Sequence, residues 1–180
     1  MATSNVYLEI YETLGSSDPL GTSGTENSSG SIEVLDFSFT IEQKYSSEED
    51  GRAGFVERVD KTPLTITKAA DKISPKLFGF CCKGNMLYKI ELKIFGPRPD
   101  KPYLVYTMQN VRICKYEPSG GEDLTTEKIE FNFGQMNVKF DNAGIGTARN
   151  GNSSYGGLDY TWNWIMHVPG FTPMPTEIPL

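Results

Sequence analysis

The stretch Leu64–Asn85, LTITKAADKISPKLFGFCCKGN, holds the change of chain direction from which the fold can be read. Its first half, within PLTITKAA, reads as a strand, and a turn then leads into one very short helix over about residues 74–83. Ser74 is placed to cap the first amides, and Pro75 suits the first helical position because its missing N–H would be unpaired there. Gly84 suits the left-handed residue that ends a helix, with Lys83 near the negative end of the dipole. Leu77, Phe78, Cys81 and Cys82 then form one broad face predicted to pack on a β body. The adjacent cysteines pose the question of function: a thiol site, or part of a structural plug.

The bulk numbers narrow the classes. At 180 residues, 38% of them hydrophobic, the chain is long enough for one domain with a substantial core. No apolar run approaches the ~20 residues of a membrane helix, and MATSNVYLEI has no basic start or long apolar stretch of a signal peptide. A net charge of −6 argues against nucleic acid as the main partner. The distribution is uneven: residues 1–60 hold 12 acids and 3 bases (−9), residues 61–120 hold 4 and 11 (+7), and the remainder 7 and 3 (−4). Solvated faces that cancel within the fold account for this, and so does an acidic face on one copy meeting a basic face on the next.

Strands dominate elsewhere. Asn5–Glu12 alternates Val6, Leu8 and Ile10 against Tyr7, Glu9 and Tyr11. Ser31–Gln43 carries Leu35, Phe37, Phe39 and Ile41 on a face predicted to enter the core, with Asp36, Ser38 and Thr40 opposite. Ile32 and Val34 keep the other phase, so a bulge or face switch is expected near Val34–Leu35. Ser16–Gly30 and the charged Lys44–Lys61 read as long loops, the second with an apolar tip at Phe55 and Val56. Strands follow over Met86–Phe95, Tyr103–Glu117, Glu127–Phe140 (Ile129, Phe131 and Phe133 on one side) and Leu158–Val168. The expected class is mainly β, a two-sheet barrel or sandwich with one flanking helix. One domain spans 1–168, and the Pro-rich 169–180 reads as a tail or arm.

Chemistry is sparse. The single histidine, His167, sits on the predicted last strand, far in sequence from any thiol it might activate. Cys81 and Cys82 lack the two-residue gap that lets paired thiolates hold one ion, and with Cys114 they read as buried or half-buried thiols. Glu48–Glu49–Asp50 and Glu122–Asp123 fit no calcium-loop spacing and read as solvated turns. No catalytic, cofactor or metal residues are assigned. A secreted lectin-like or calcium-binding β-sandwich is the alternative that the acidic loops keep open.

At this point Leu64–Asn85 resembles the strand–helix segment of the haemolysin-coregulated protein (Hcp) family, the inner-tube subunits of bacterial type VI secretion. Thr67–Lys68, Asp71–Lys72, Ser74–Pro75–Lys76–Leu77 and Cys81–Gly84 carry the likeness. Ile32–Phe39, Pro118–Phe140 and Tyr155–Asn163 add to it in the same order, so that it spans roughly residues 3–168. The loop Ser16–Gly30, the ending Ile165–Met166–His167 and the tail depart from the family pattern.

The resemblance implies a hexameric ring with a central channel, stacked into a tube that a contractile sheath propels behind a spike protein. It implies small effector proteins held in the lumen, no catalysis and no membrane insertion. Assembly would take place in the bacterial cytoplasm, with export following without a cleaved signal peptide. By the same likeness the Ser31–Gln43 strand lines the channel, so Ser38, with Asp36 and Thr40, is the candidate effector contact. The Lys44–Lys61 excursion resembles a protruding loop that reaches a neighbouring copy, which makes Arg52, Phe55, Val56, Glu57 and Arg58 the candidate stacking residues.

Overall fold

The computed structural model describes residues 5–16, 18–20, 30–46, 55–96, 101–120, 124–141 and 158–171. In chain order the elements are β1 (Val6–Tyr11), β2 (Ile32–Glu33), β3 (Asp36–Ser38), β4 (Ile41–Ser46), β5 (Phe55–Lys61) and β6 (Leu64–Ala69). Then follow α1 (Ser74–Lys83), β7 (Met86–Phe95), β8 (Pro102–Ser119), β9 (Thr126–Asn132), β10 (Gln135–Phe140), β11 (Leu158–Asn163) and β12 (Val168–Pro169). Ten strands share one sheet, and β4 and β5 pair apart from it as a two-stranded sheet. The mainly β class, with a single short helix among the described residues, is as expected. No helix among the described residues is long and apolar enough to cross a membrane.

The sheet closes on itself through residues 32–38. β2 pairs with β1 (Tyr7 opposite Glu33), whereas β3 pairs with β6 (Phe37 opposite Ile66). Between them the Val34 N–H donates to the Val6 carbonyl and the Leu35 N–H to the Thr67 carbonyl. The chain therefore changes partners at Val34–Leu35, where the apolar phase slips. This corrects the face assigned to the core. Ile32 and Val34 are buried, Phe37 and Phe39 are half-buried against the core, and Leu35 and Ile41 stand 55% and 47% exposed. A strand that leaves one neighbour for another presents opposite faces on either side of the switch.

Two further strands are interrupted. Ile129, Phe131 and Phe133 are buried as expected, but the run breaks at Phe133–Gly134, and Gln135 and Met136 are buried beyond it. There the Gly134 N–H donates to the Gln109 carbonyl, and a Cβ on Gly134 would lie 2.6 Å from Ile165 Cδ1. The predicted strand to Val168 ends instead at Asn163, whose buried side-chain oxygen accepts the amides of Ile165 (2.8 Å) and Met166 (3.0 Å). That capture forms a turn, and His167 sits in it with φ +55°, outside any strand. The described part of the expected Lys44–Lys61 loop is strand, paired from Ile41 opposite Lys61 to Ser46 opposite Phe55 with one register shift between Gln43 and Tyr45. Pro169 pairs within β12, and 172–180 lie outside the described residues, as does most of Ser16–Gly30.

The helix is fixed by a buried polar cluster. Lys68, on β6 and 1% exposed, reaches Ala69 O (2.7 Å), Asp71 Oδ1 (2.9 Å), Glu127 Oε2 (3.0 Å) and Ser74 Oγ (3.3 Å). Tyr116 donates to Glu127 Oε1 at 2.6 Å. Ser74 does not cap the helix: the cap residue is Ile73, and Ser74 Oγ accepts the Asp71 N–H at 2.9 Å. The ammonium's demand for acceptors draws the serine hydroxyl into the turn. Gly84 ends the helix as expected, with φ 63° and its N–H on the Cys81 carbonyl. The buried face is Leu77 and Phe80 with half-buried Cys81, whereas Phe78 is 55% exposed with an edge-on contact to Tyr116. Cys82 and Cys114 are exposed, against the expectation of burial.

Removing one partner of a buried charge pair strands the other. Lys68→Met should cost about 3–5 kcal/mol in urea unfolding, and adding Glu127→Leu should return much of that loss. A second ionic knot lies on β1: Lys93 (2.6 Å), Tyr11 (2.7 Å) and Ser31 (3.3 Å) all donate to the Glu9 carboxylate. Burial alone would raise this carboxyl, but the bonds from Lys93, Tyr11 and Ser31 outweigh it and hold Glu9 below the ordinary range. A depressed carboxyl stabilises the fold above its unfolded value and loses that contribution as pH falls through the folded one. Melting temperature should therefore drop less between pH 6 and pH 3 for Glu9→Gln than for the unaltered chain; equal slopes would remove Glu9 from the acid response.

Candidate functional site

Alternation along β3 leaves Asp36 and Ser38 exposed on the outer face of the barrel. Asp36 stands opposite Thr67 and Ser38 opposite Thr65 on β6, which face Lys128 and Glu130 on β9 in turn. Directly opposed residues share a face, so the outer surface of β3–β6–β9 carries short hydroxyls on one side and alternating charges on the other. Thr65 and Thr67 were not singled out from sequence. Their signal was the alternation of Leu64 and Ile66 with small polar residues, read only as strand. Thr40 is exposed but lies beyond β3, where its amide donates to Thr62 Oγ1 (2.8 Å) at the base of the β4–β5 hairpin. The structure thus joins Asp36 and Ser38 and sets Thr40 apart.

The candidate stacking residues divide similarly. Arg52 lies outside the described residues, and Phe55, Val56 and Glu57 are on β5 with side chains outside them. Arg58 is exposed but engaged by its own chain: Nε donates to His167 Nδ1 (3.2 Å) and Nη2 to the Trp164 carbonyl (3.4 Å). It ties the hairpin to the turn after β11. Three residues on, β5 ends at Lys61, whose ammonium donates to Asn132 Oδ1 (2.9 Å) and lies 4.1 Å from the Phe133 ring centroid. Burial pushes this amine below its ordinary range.

His167 is bonded to Arg58 and not to a thiol. Cys81, Cys82 and Cys114 are free, and the Cys114 thiol is pushed up by burial and by nearby Glu130. No group of three or more His, Cys, Asp or Glu among the described residues is arranged to hold a metal ion. Both acidic stretches, 48–50 and 122–123, fall outside those residues. What the arrangement offers is surface: a hydroxyl-bearing barrel face, a projecting hairpin and a cationic cleft at its base.

Known proteins supply the context. The family model described as "Type VI secretion system effector, Hcp" matches residues 7–140. Protein hcp1 of Pseudomonas aeruginosa is 30% identical over 115 residues, covering 62% of this chain and 68% of that one. The crystal structure of Hcp1 from Salmonella typhimurium superposes with a TM-score of 0.69 at 21% identity, over 91% of this chain and 97% of that chain. A chain of the anti-feeding prophage baseplate, determined with six-fold symmetrisation, shares the fold at 11% identity with a TM-score of 0.54, over 77% and 94%. The matched residues run from the first strand through the strand–helix segment to the end of β10, and the chain belongs to the Hcp family of type VI secretion proteins.

Proposed function

We propose that this protein is a structural subunit of a type VI secretion tube: six copies form a ring, and rings stack behind a spike inside a contractile sheath. The observation that carries the reading is the outer face of β3 and β6, where exposed Ser38 and half-buried Thr65 and Thr67 form a strip of short hydroxyls on a closed barrel. Such a strip suits a channel wall, because short hydroxyls offer hydrogen bonds to a passing protein without filling the bore. Small effector proteins are the ligands, held by many weak polar contacts before export from the cytoplasm. Family membership supports the secretion context, and the six-fold baseplate relative favours the symmetry. The β4–β5 hairpin is the stacking element, reaching roughly 20 Å beyond Lys61 over the six residue steps to Phe55.

Negative-stain images of purified protein should show six-fold rings with a central hole, and a compact monomer at micromolar concentration would defeat the ring. Ser38→Arg should leave rings intact and abolish retention of a co-expressed effector; unchanged retention would remove Ser38 from the channel wall. Deleting Gly51–Val56 should leave hexamers by native mass spectrometry and weaken their stacking. Loss of the hexamer itself would move the hairpin to the contact between neighbours in one ring.

A further inference from the structure

A cleft of about 300 Å³ opens where the hairpin base, the β9–β10 break and the turn after β11 meet. Lys61, Arg112, Asn132, Phe133, Trp164 and Ile165 are on its wall. Arg112 and Asn132 are cross-strand partners, and the Lys61 ammonium rests on the Asn132 carbonyl oxygen, so both cations flank one carboxamide. Lys61 is half-buried against the rings of Phe133 and Trp164, yet its hydrogen-bond acceptor is neutral. Arg112 is exposed and, like Lys61, makes no ion pair among the described residues. No residue lining the cleft is acidic. A partly desolvated ammonium beside an unpaired guanidinium is an incomplete ion pair, and a carboxylate completes it. Ile165, 60% exposed, adds an apolar rim on one side, and Met166, 59% exposed, follows it in the chain.

We propose that this cleft takes carboxylates from the hairpin tip of a second copy of the chain. The proposal rests on the stacking role given to the hairpin above and names its receptor. Complementarity selects the occupant: Glu48–Glu49–Asp50 lie in sequence between β4 and β5, followed closely by Phe55–Val56. Three acids matched to two cations, with two apolar residues for the rim, fit this site better than a uniformly polar segment. β5 carries the chain away from the cleft: Phe55 lies six residues, roughly 20 Å of extended strand, from Lys61 at the hairpin's base, so the acids are assigned to a second copy. Donor and receptor are different surfaces of the same chain, so the contact is head-to-tail and propagates from copy to copy.

The test uses the full-length protein and a synthetic peptide of residues 46–57, which contains no tryptophan. Titration followed by tryptophan fluorescence and calorimetry should show saturable binding that weakens with salt. Arg112→Glu should weaken it about tenfold or more, which is ~1.4 kcal/mol or more. Lys61→Gln should do so in the same direction, and melting curves on both variants establish that they are folded. A peptide carrying Glu48→Lys, Glu49→Lys and Asp50→Lys should fail on the unaltered protein and regain binding to Arg112→Glu. Equal binding of the natural peptide by folded Arg112→Glu and the unaltered protein overturns the proposal. Citrate binding as tightly as the peptide, with the same loss in Arg112→Glu, assigns the cleft to free carboxylates and overturns the second copy as occupant. Six-fold rings that fail to bind the peptide sink this receptor and leave the tube reading standing, whereas absence of rings sinks the tube reading itself.

Discussion

The ammonium of Lys68 is the interaction on which this architecture depends. A lysine 1% exposed needs its charge met on the spot, and Glu127, Asp71, Ser74 and the Ala69 carbonyl meet it from three directions. Those partners belong to β9, the last residue of β6, the turn after it and the start of α1, so one charge fixes where the strand ends and where the helix begins. Tyr116, on β8, completes the arrangement as a donor to Glu127; desolvation and that bond push its hydroxyl up to about 12, so it stays protonated at neutral pH. A hydrophobic plug of Leu77 and Phe80 alone would leave the helix free to slide along the barrel. Directional bonds to a buried charge remove that freedom, a specificity role for ionic groups in cores rather than a gain in raw stability.

The closure at Val34–Leu35 is the second constraint. Because residues 32–38 bond β1 at one end and β6 at the other, the sheet has little freedom to open along that seam. The hydroxyl-bearing face of β3 and β6 therefore belongs to a rigid wall. The hairpin that follows leaves that wall at Thr40 and Thr62, which bond each other through backbone and side chain. Arg58 braces it against the turn after β11.

Much of this was legible in the residues. Period-two alternation located β1, β7, β9 and the strand–helix segment, and Gly84 marked the helix end by the conformation it alone takes easily. The failures share a cause: local pattern does not report which neighbour a segment meets. Leu35 and Ile41 look like core residues until the strand changes partners. Ser74 looks like a cap until a buried lysine competes for its hydroxyl, and Phe78 and Phe80 are equivalent on a helical wheel until the sheet beneath selects one. At the surface, Ser38 and Asp36 were legible because exposure follows from alternation. The cationic cleft was not, since Lys61, Arg112 and Trp164 are remote in sequence and meet only where two strands break.

The pairing of β1 with β7 also bears on synthesis. Val6 lies opposite Ile94 and Tyr11 opposite Lys89, so the first strand made has no partner on that side until residues near 95 have emerged. At the usual ~5–20 residues per second, the 84 residues from Tyr11 to Phe95 take roughly 4–17 s. Throughout that interval β1 has only β2, two residues long, to pair with, and its long edge stays open. The open edge of an apolar strand is thus exposed on the ribosome, and the rate of translation sets how long neighbouring nascent chains can find each other.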